Sequence, residues 1–300
     1  MKTAAALPRA SALLLVLWAL LVLSAAVFGW ATWISDSIAL HGDANRAVEA
    51  RAMAHSGVAL ALHPRVSIRT PLPEETLAPG MSYRVQMISE GAKLNINWLL
   101  RGEEPRKLIL LKQWLERRGL SFQERETFVD CLLDYVDGDD LKRLNGREKD
   151  DTYLPADREL ESVREIARVA ESLPLTSQPG WENDLTIYSQ GPIDLGSADI
   201  ATLRLLPGLS EARLQQFVKY RQGEDGLDGT EDDNIFKSLD VIRSFLGLSA
   251  AQFKELNNLV GYNDPTLHVT SVGQSGKVSR QLEVVVRKGS AQPQILSWKE

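Results

Sequence analysis

Apolar and polar positions follow four successive patterns along the chain. From Ala10 to Ser35, "ASALLLVLWALLVLSAAVFGWATWIS" carries no charge, and about 20 apolar residues suffice to cross a bilayer as a helix. The helical pattern continues, diluted with polar residues, through Ile38, Val48, Ala52 and Val58 until Pro64 forbids it. A helix from Ser11 to Leu62 would be on the order of 75 Å long. Its first half would suit lipid and its second half would need an apolar surface to lie on. "TPLPEETLAPG", Thr70 to Gly80, reads as a turn-rich connector. Period-two alternation then appears in "SYRVQMI" (Tyr83, Val85, Met87) and in "AKLNIN" (Leu94, Ile96), and "SEGA", Ser89 to Ala92, predicts a hairpin turn between them.

From Arg106 to about Val260 the period becomes helical, in "KLILLKQWLERRGL", "RETFVDCLLDYV", "ELESVREIARVAESL" and "SLDVIRSFLGLSAAQFKELNNLVG". Strand patterns return in "TLHVTSV", "VSRQLEVVVRK" and "QILSWKE". Strands before and after a helical block predict an α+β fold in which a sheet is interrupted by an all-α insertion. Within that block, "LLPGLSEARLQQFVKYR", Leu205 to Arg221, has the grammar of a helix-hairpin-helix, a module that commonly grips nucleic-acid phosphate. Here the position of its usual second Gly is Ser210, followed by the acidic Glu211. The segment therefore reads as a packing unit built on Leu205, Leu206, Leu209, Leu214 and Phe217, with Leu246–Leu259 as its companion.

Charge sharpens this reading. The 300 residues carry a net charge of −6, with a pI near 5.4. Most non-specific DNA affinity comes from Lys and Arg displacing counterions, so the balance argues against nucleic acid as a partner. In the N-terminal segment Lys2 and Arg9 precede the apolar run and Asp36 follows it. That asymmetry favours a retained single span with its N-terminus cytoplasmic and the bulk of the chain outside the cytoplasm. A cleaved signal peptide ending near Ala25 or Ala26 is the rival, but Val27, Phe28, Trp30 and Ile34 prolong the apolar run beyond its usual length. The one cysteine, Cys131, excludes an internal disulfide and reads as a core thiol.

Two stretches concentrate carboxylates. "DGDDLKRLNGREKDD" offers Asp137, Asp139, Asp140, Glu148, Asp150 and Asp151. "GEDGLDGTEDDN" offers Asp225, Asp228, Glu231, Asp232 and Asp233, with Asn234. Clustered oxygens on Gly-bent loops can hold calcium, although neither stretch fits the twelve-residue calcium loop. On the residues alone a solvated acidic loop is an equal reading. Catalysis finds little support. His41, His55, His63 and His268 are scattered, and neither a Gly-x-Ser-x-Gly elbow nor a phosphate loop is present.

Taken in order along the chain, "RASALLLVLWALLVLS", "ARAMAHSGVALAL", "GAKLNIN", "LLDYVDGDDLKRLNGREKDDTY", "ADRELESVREIARV" and "PIDLGSADIATLRLLPGLSEARLQQFVKYR" resemble the general secretion pathway protein K family. These are minor pseudopilins of bacterial type II secretion systems. The resemblance implies a prepilin leader over residues 1–10, cut between Ala10 and Ser11 by a prepilin peptidase, with methylation of the new terminus. It implies a transmembrane and periplasmic helix over 11–63, packed on a pilin-like antiparallel sheet domain over 64–103 and 262–300. A helical insertion with helix-hairpin-helix-like units occupies 104–261. The fifth residue of the processed chain would be Leu15, where most pilin-like proteins carry Glu. A subunit without that carboxylate need not dock on a preceding amine, and similar members sit at the tip of the pseudopilus.

Other implications are structural calcium in the insert, other minor pseudopilins as partners, and contact with secreted substrates or the outer-membrane channel. The inner membrane is the implied location, and no enzymatic activity is implied. The rival of another class is a membrane-anchored helix-hairpin-helix DNA receptor of the competence type. A cleaved secreted enzyme is a third reading.

Overall fold

The computed structural model describes residues 9–70, 72, 74–289 and 292–300, with the side chains of 9–12 and 38–41 outside the description. The expected leader therefore lies almost entirely outside the described residues. Ala10 and Ser11 are described only as helical backbone. One helix, α1 (Arg9–Leu62), runs unbroken for 54 residues, about 80 Å. Its first half is bare: Leu13 to Trp33 includes Trp18, Phe28 and Trp30 with more than half of each side chain exposed. By length and composition α1 is able to cross a membrane, with a mean hydropathy of 2.5 over its most apolar window.

Strands β1 (Glu75–Ala78) and β2 (Met81–Ser89) follow the connector. The expected hairpin after β2 does not form. Ser89 instead caps a 3-10 turn over Glu90–Ala92, and "AKLNIN" splits into a two-residue strand, β3 (Leu94–Asn95), and the helix α2 (Ile96–Leu100). The reason lies in the side chains. Asn95 accepts from the Trp98 amide as an N-cap, and Gly91 lies so close to Asp194 and Asp264 that a Cβ would collide with both. The insert continues with α3 (Pro105–Arg117) and α4 (Phe122–Val136), the latter opened by a capping box of Ser121 and Glu124. "ELESVREIARVAESL" forms a 3-10 turn over Val163–Arg168 rather than an α-helix. Glu165 folds back onto the Glu161 amide and the Arg158 guanidinium, and Glu171 takes a positive φ of 56°.

There follow α5 (Leu173–Thr176), β4 (Leu185–Thr186), β5 (Ile193–Asp194), α6 (Ile200–Leu203), α7 (Glu211–Arg221), α8 (Leu239–Phe245), α9 (Ala250–Leu256) and β6 (Val260–Gly261). The insert is helical as expected, but two short parallel ladders, β3–β4 and β5–β6, staple it. The helices α6 and α7 are joined through Gly208 at φ 78°, and α8 and α9 through Gly247 at φ 63°. Each Gly is followed by Leu-Ser, so the two pairs repeat one local plan. Leu205, Leu206, Leu214 and Phe217 are buried in the insert core, with Leu209 packed against it.

Three long strands close the chain: β7 (Thr266–Ser275), β8 (Val278–Arg287) and β9 (Gln294–Lys299). The five-stranded sheet is antiparallel with order β1-β2-β7-β8-β9. Its inner face meets the second half of α1, where Met53, Ala54, Val58 and Ala61 pack on Tyr83, Val85, Val269, Leu282, Val284 and Val286. This core is separate from that of the insert.

The polarity of the sheet follows from its contacts with α1. At one end Ser275 donates to Glu49 at 2.6 Å. At the other, Lys288 caps the C-terminus of α1 by donating to the Ala61 and Val66 carbonyls. The insert leaves after Ser89 and returns at Thr266, at the Lys288 end. It therefore sits at the end of the sheet farthest from the bare half of α1.

Candidate metal centre

Helix α4 buries Phe128, Leu132 and Tyr135, and on the same buried surface it carries Asp134, which is fully enclosed. Asp137 ends the helix in an extended conformation. The chain then folds back so that Gly146 lies directly on Asp134, too close for any Cβ. Arg143 enters from this loop. Its Nη1 donates to Asp134 Oδ1 at 2.6 Å and Asp137 Oδ2 at 2.5 Å, and its Nη2 to Glu103 at 2.6 Å. Glu148 completes the group: ligand atoms of Asp134, Asp137 and Glu148 lie within 4.8 Å of one another.

One guanidinium does not satisfy three carboxylates. Asp137 Oδ1 and Glu148 Oε1 are buried without a hydrogen-bond partner among the described residues, a costly state unless something else binds there. Burial, then the charges of Asp134 and Asp137, push the Glu148 carboxyl above its ordinary value. Orphaned hard oxygens in a negative pocket fit a hard divalent cation such as calcium, whose other ligands would be backbone carbonyls or water. Asp137 and Glu148 are the sequence-predicted residues brought into this centre.

The other expected ligands of this loop go elsewhere. Asp139 accepts from the Leu141 amide at 2.8 Å, and Asp140 and Asp151 are exposed. Asp150 is held well below the usual carboxylate range by the Thr152 hydroxyl and amide and by Arg147. Asp134 was not among the expected residues. Its signal was a charged residue flanked by Leu133 and Tyr135 on the buried stripe of a helix. Cys131 is a core thiol, pushed up to about 11 by burial and nearby acids.

In the second acidic loop the carboxylates are turned onto their own backbone. Asp232 accepts from the amides of Glu224 and Asp225 at 2.6 and 3.0 Å and from Thr230, which holds it near 2. Asp225 accepts from Leu227. Asp228 takes Arg221 Nε at 2.9 Å and Gln222 at 3.0 Å, Asp233 takes the Gly229 amide at 2.8 Å, and Glu231 is exposed. Among the described residues, only the Asp134 group gathers three ligand atoms at metal-binding spacing.

The architecture is thus a mixed α+β fold in which one long apolar helix forms the spine of an antiparallel sheet and a helical block is inserted between β2 and β7. Among solved structures the chain is similar to one described as "The Crystal Structure of the GspK-GspI-GspJ complex from enterotoxigenic Escherichia coli Type 2 Secretion System". The TM-score is 0.58 at 15% identity, over 89% of this chain and 97% of that one. This likeness is one of fold. No family profile matches the sequence, and no curated protein matches it.

Proposed function

We propose that the chain is a minor pseudopilin that ends the pseudopilus of a type II secretion system, a structural and non-enzymatic subunit. One observation carries the reading. A continuous helix, half bare and half seated on a five-stranded sheet, bears a helical block at its far end, and over 89% of its length the chain is similar in fold to a chain of a secretion complex. In this reading the bare half of α1 spans the inner membrane with its N-terminus in the cytoplasm, and the rest is periplasmic. The spine packs beside those of other minor pseudopilins. The insert, seated beyond Lys288, blocks another subunit from stacking above, and it faces secreted substrates or the outer-membrane channel.

The DNA-receptor reading is disfavoured by charge. Glu211 occupies the first turn of α7, where a phosphate would sit. The Arg204 guanidinium, with Gln215, holds its carboxyl down near 2, so the site already contains an anion. Mass spectrometry of the protein purified from membranes tests the processing step. A mature chain starting at Ser11 is expected, and one starting near Val27 overturns the pseudopilin reading.

Calcium at Asp134, Asp137 and Glu148 belongs to the same proposal. Its role would be to neutralise the loop after α4 and fix it against the insert core. Exchanging EDTA for about 1 mM calcium is expected to raise Tm by about 5 °C. Asp134→Asn should remove that rise whatever its own Tm. The rise should also weaken in acid, beginning at a higher pH than for an ordinary carboxylate, because Glu148, whose pKa is raised, must lose its proton to bind. An identical Tm in EDTA and calcium contradicts the assignment.

A further inference from the structure

Strand β2 pairs with β7 along its whole length, from Met81 to Ser89. On its other edge β1 covers only Met81 to Tyr83. Beyond Tyr83 a cleft of about 590 Å³ opens, and its lining includes every residue from Val85 to Ser89. Successive strand residues point to opposite faces. A cavity that touches all of them therefore reaches the strand's edge as well as its inner face, where Leu267 also lines it. Since β7 fills one edge, the cleft lies along the edge that β1 leaves free. Ile68, Arg69, Thr70 and Leu72 also line it, as do Asp228, Gly229 and Asp233 of the insert.

Most charges in this cleft are already committed. Lys288 donates to the carbonyls of Ala61, His63 and Val66. Asp194 accepts from Gly196, Asn263 and Asp264, and Asp264 from Gln190 and Thr266. Asp228 is paired with Arg221. Among the charged groups, the loose ion pair of Arg69 and Asp233 leaves two atoms over. Arg69 Nε and Asp233 Oδ1 are buried with no hydrogen-bond partner among the described residues. Their side chains are 20% and 5% exposed, and Arg69 Nε stands 3.7 Å from Asp233 Oδ2, too far for a hydrogen bond. One orphan is a donor and the other an acceptor. A peptide backbone supplies the complement of both, a carbonyl for Arg69 and an amide N–H for Asp233.

We propose that the Val85–Ser89 edge of β2 accepts an extended peptide segment of a partner polypeptide as an added strand, with Arg69 and Asp233 holding its backbone. Main-chain bonds to β2 would supply the affinity, and alternate side chains the specificity. Apolar residues of the segment would face the side of Val85 and Met87, where Leu72 and Leu267 already pack. Polar residues would face the side of Gln86. The occupant is therefore a strand of alternating apolar and polar residues, and the inference stands independently of the secretion reading.

The test uses the full chain in detergent micelles and a fluorescent peptide, acetyl-Lys-Val-Thr-Val-Thr-Val-Lys-amide, followed by anisotropy. Saturable binding is expected. N-methylation of alternate peptide nitrogens should weaken it about tenfold or more, as should Arg69→Lys, which keeps the charge and loses the Nε donor. The methylated peptide tests the wild-type chain, so the outcome does not depend on the variant's folding. Absence of saturation up to about 1 mM overturns the proposal, as does equal binding of the methylated peptide. Displacement of the peptide as the chain's own concentration rises would assign the edge to a second copy, and would likewise overturn it.

Discussion

Gly273→Val is expected to lift α1 off the sheet and lower stability by about 3 kcal/mol, the upper range for forced overpacking. Any Cβ at this position of β7 would overlap the Ala50 carbonyl, the Ala54 amide and Met53 Cβ of α1. The first two are helix backbone and cannot rotate away, so either the helix or the strand must move. Moving the helix exposes Met53, Ala54 and Val58 together with Val269 and Val284. For a domain of this size the loss corresponds to a fall in Tm on the order of 10 °C, measured by circular dichroism in detergent. Gly42→Ala is the control, because a Cβ there meets nothing within 4 Å. It should be neutral or slightly stabilising. A Gly273→Val protein that melts with the wild type would refute the close seating of the spine on the sheet.

The second large effect is expected at the junction between sheet and insert. Glu90 is 2% exposed and receives hydrogen bonds from Thr186 of β4 and Lys93, and pairs with His268 of β7. It thus ties the insert to the sheet. Burial alone would raise its pKa, but the His268 hydrogen bond, the Lys93 charge and the Thr186 hydroxyl outweigh it and hold the carboxyl near 2. Glu90→Gln removes the anion and leaves its partners without it, at a cost on the order of 3 kcal/mol at neutral pH. The sign with pH follows from the depressed value. The ionised carboxylate contributes stability that is fully present above the unfolded pKa of 4.5 and is lost as pH falls toward 2. The gap between wild type and Glu90→Gln should therefore narrow steadily below pH 4.5, as read from urea unfolding at several pH values. A gap unchanged from pH 7 to pH 3 would show that the carboxylate's charge does not hold this junction.

The long elements were legible in the sequence because their periodicity was sustained. The apolar run and the diluted helix after it give α1 as one element, and alternation over seven to ten residues gives β2, β7 and β8. What escaped was short or held by side chains. The ladders β3–β4 and β5–β6 are two residues long, which is too short for alternation to register. The hairpin expected at Ser89–Ala92 failed because Asn95 caps a helix instead of extending a strand. The helix expected around Val163 became a 3-10 turn because Glu165 is pulled onto Arg158 and the Glu161 amide.

Of the acid-rich loop residues, Asp137 and Glu148 are brought together with Asp134, whereas the carboxylates of Asp139 and Asp150 serve local turns. Asp134 stands outside the acid-rich loops, as a carboxylate inside helix α4. Its burial depends on the loop returning through Gly146, a tertiary contact with no local sign.

The most direct test of the central reading is deletion of the chain in its native cells, with protein export and DNA uptake measured side by side. The account predicts that export across the outer membrane fails, that exported proteins accumulate in the periplasm, and that DNA uptake is unchanged. Normal export with lost DNA uptake would contradict it.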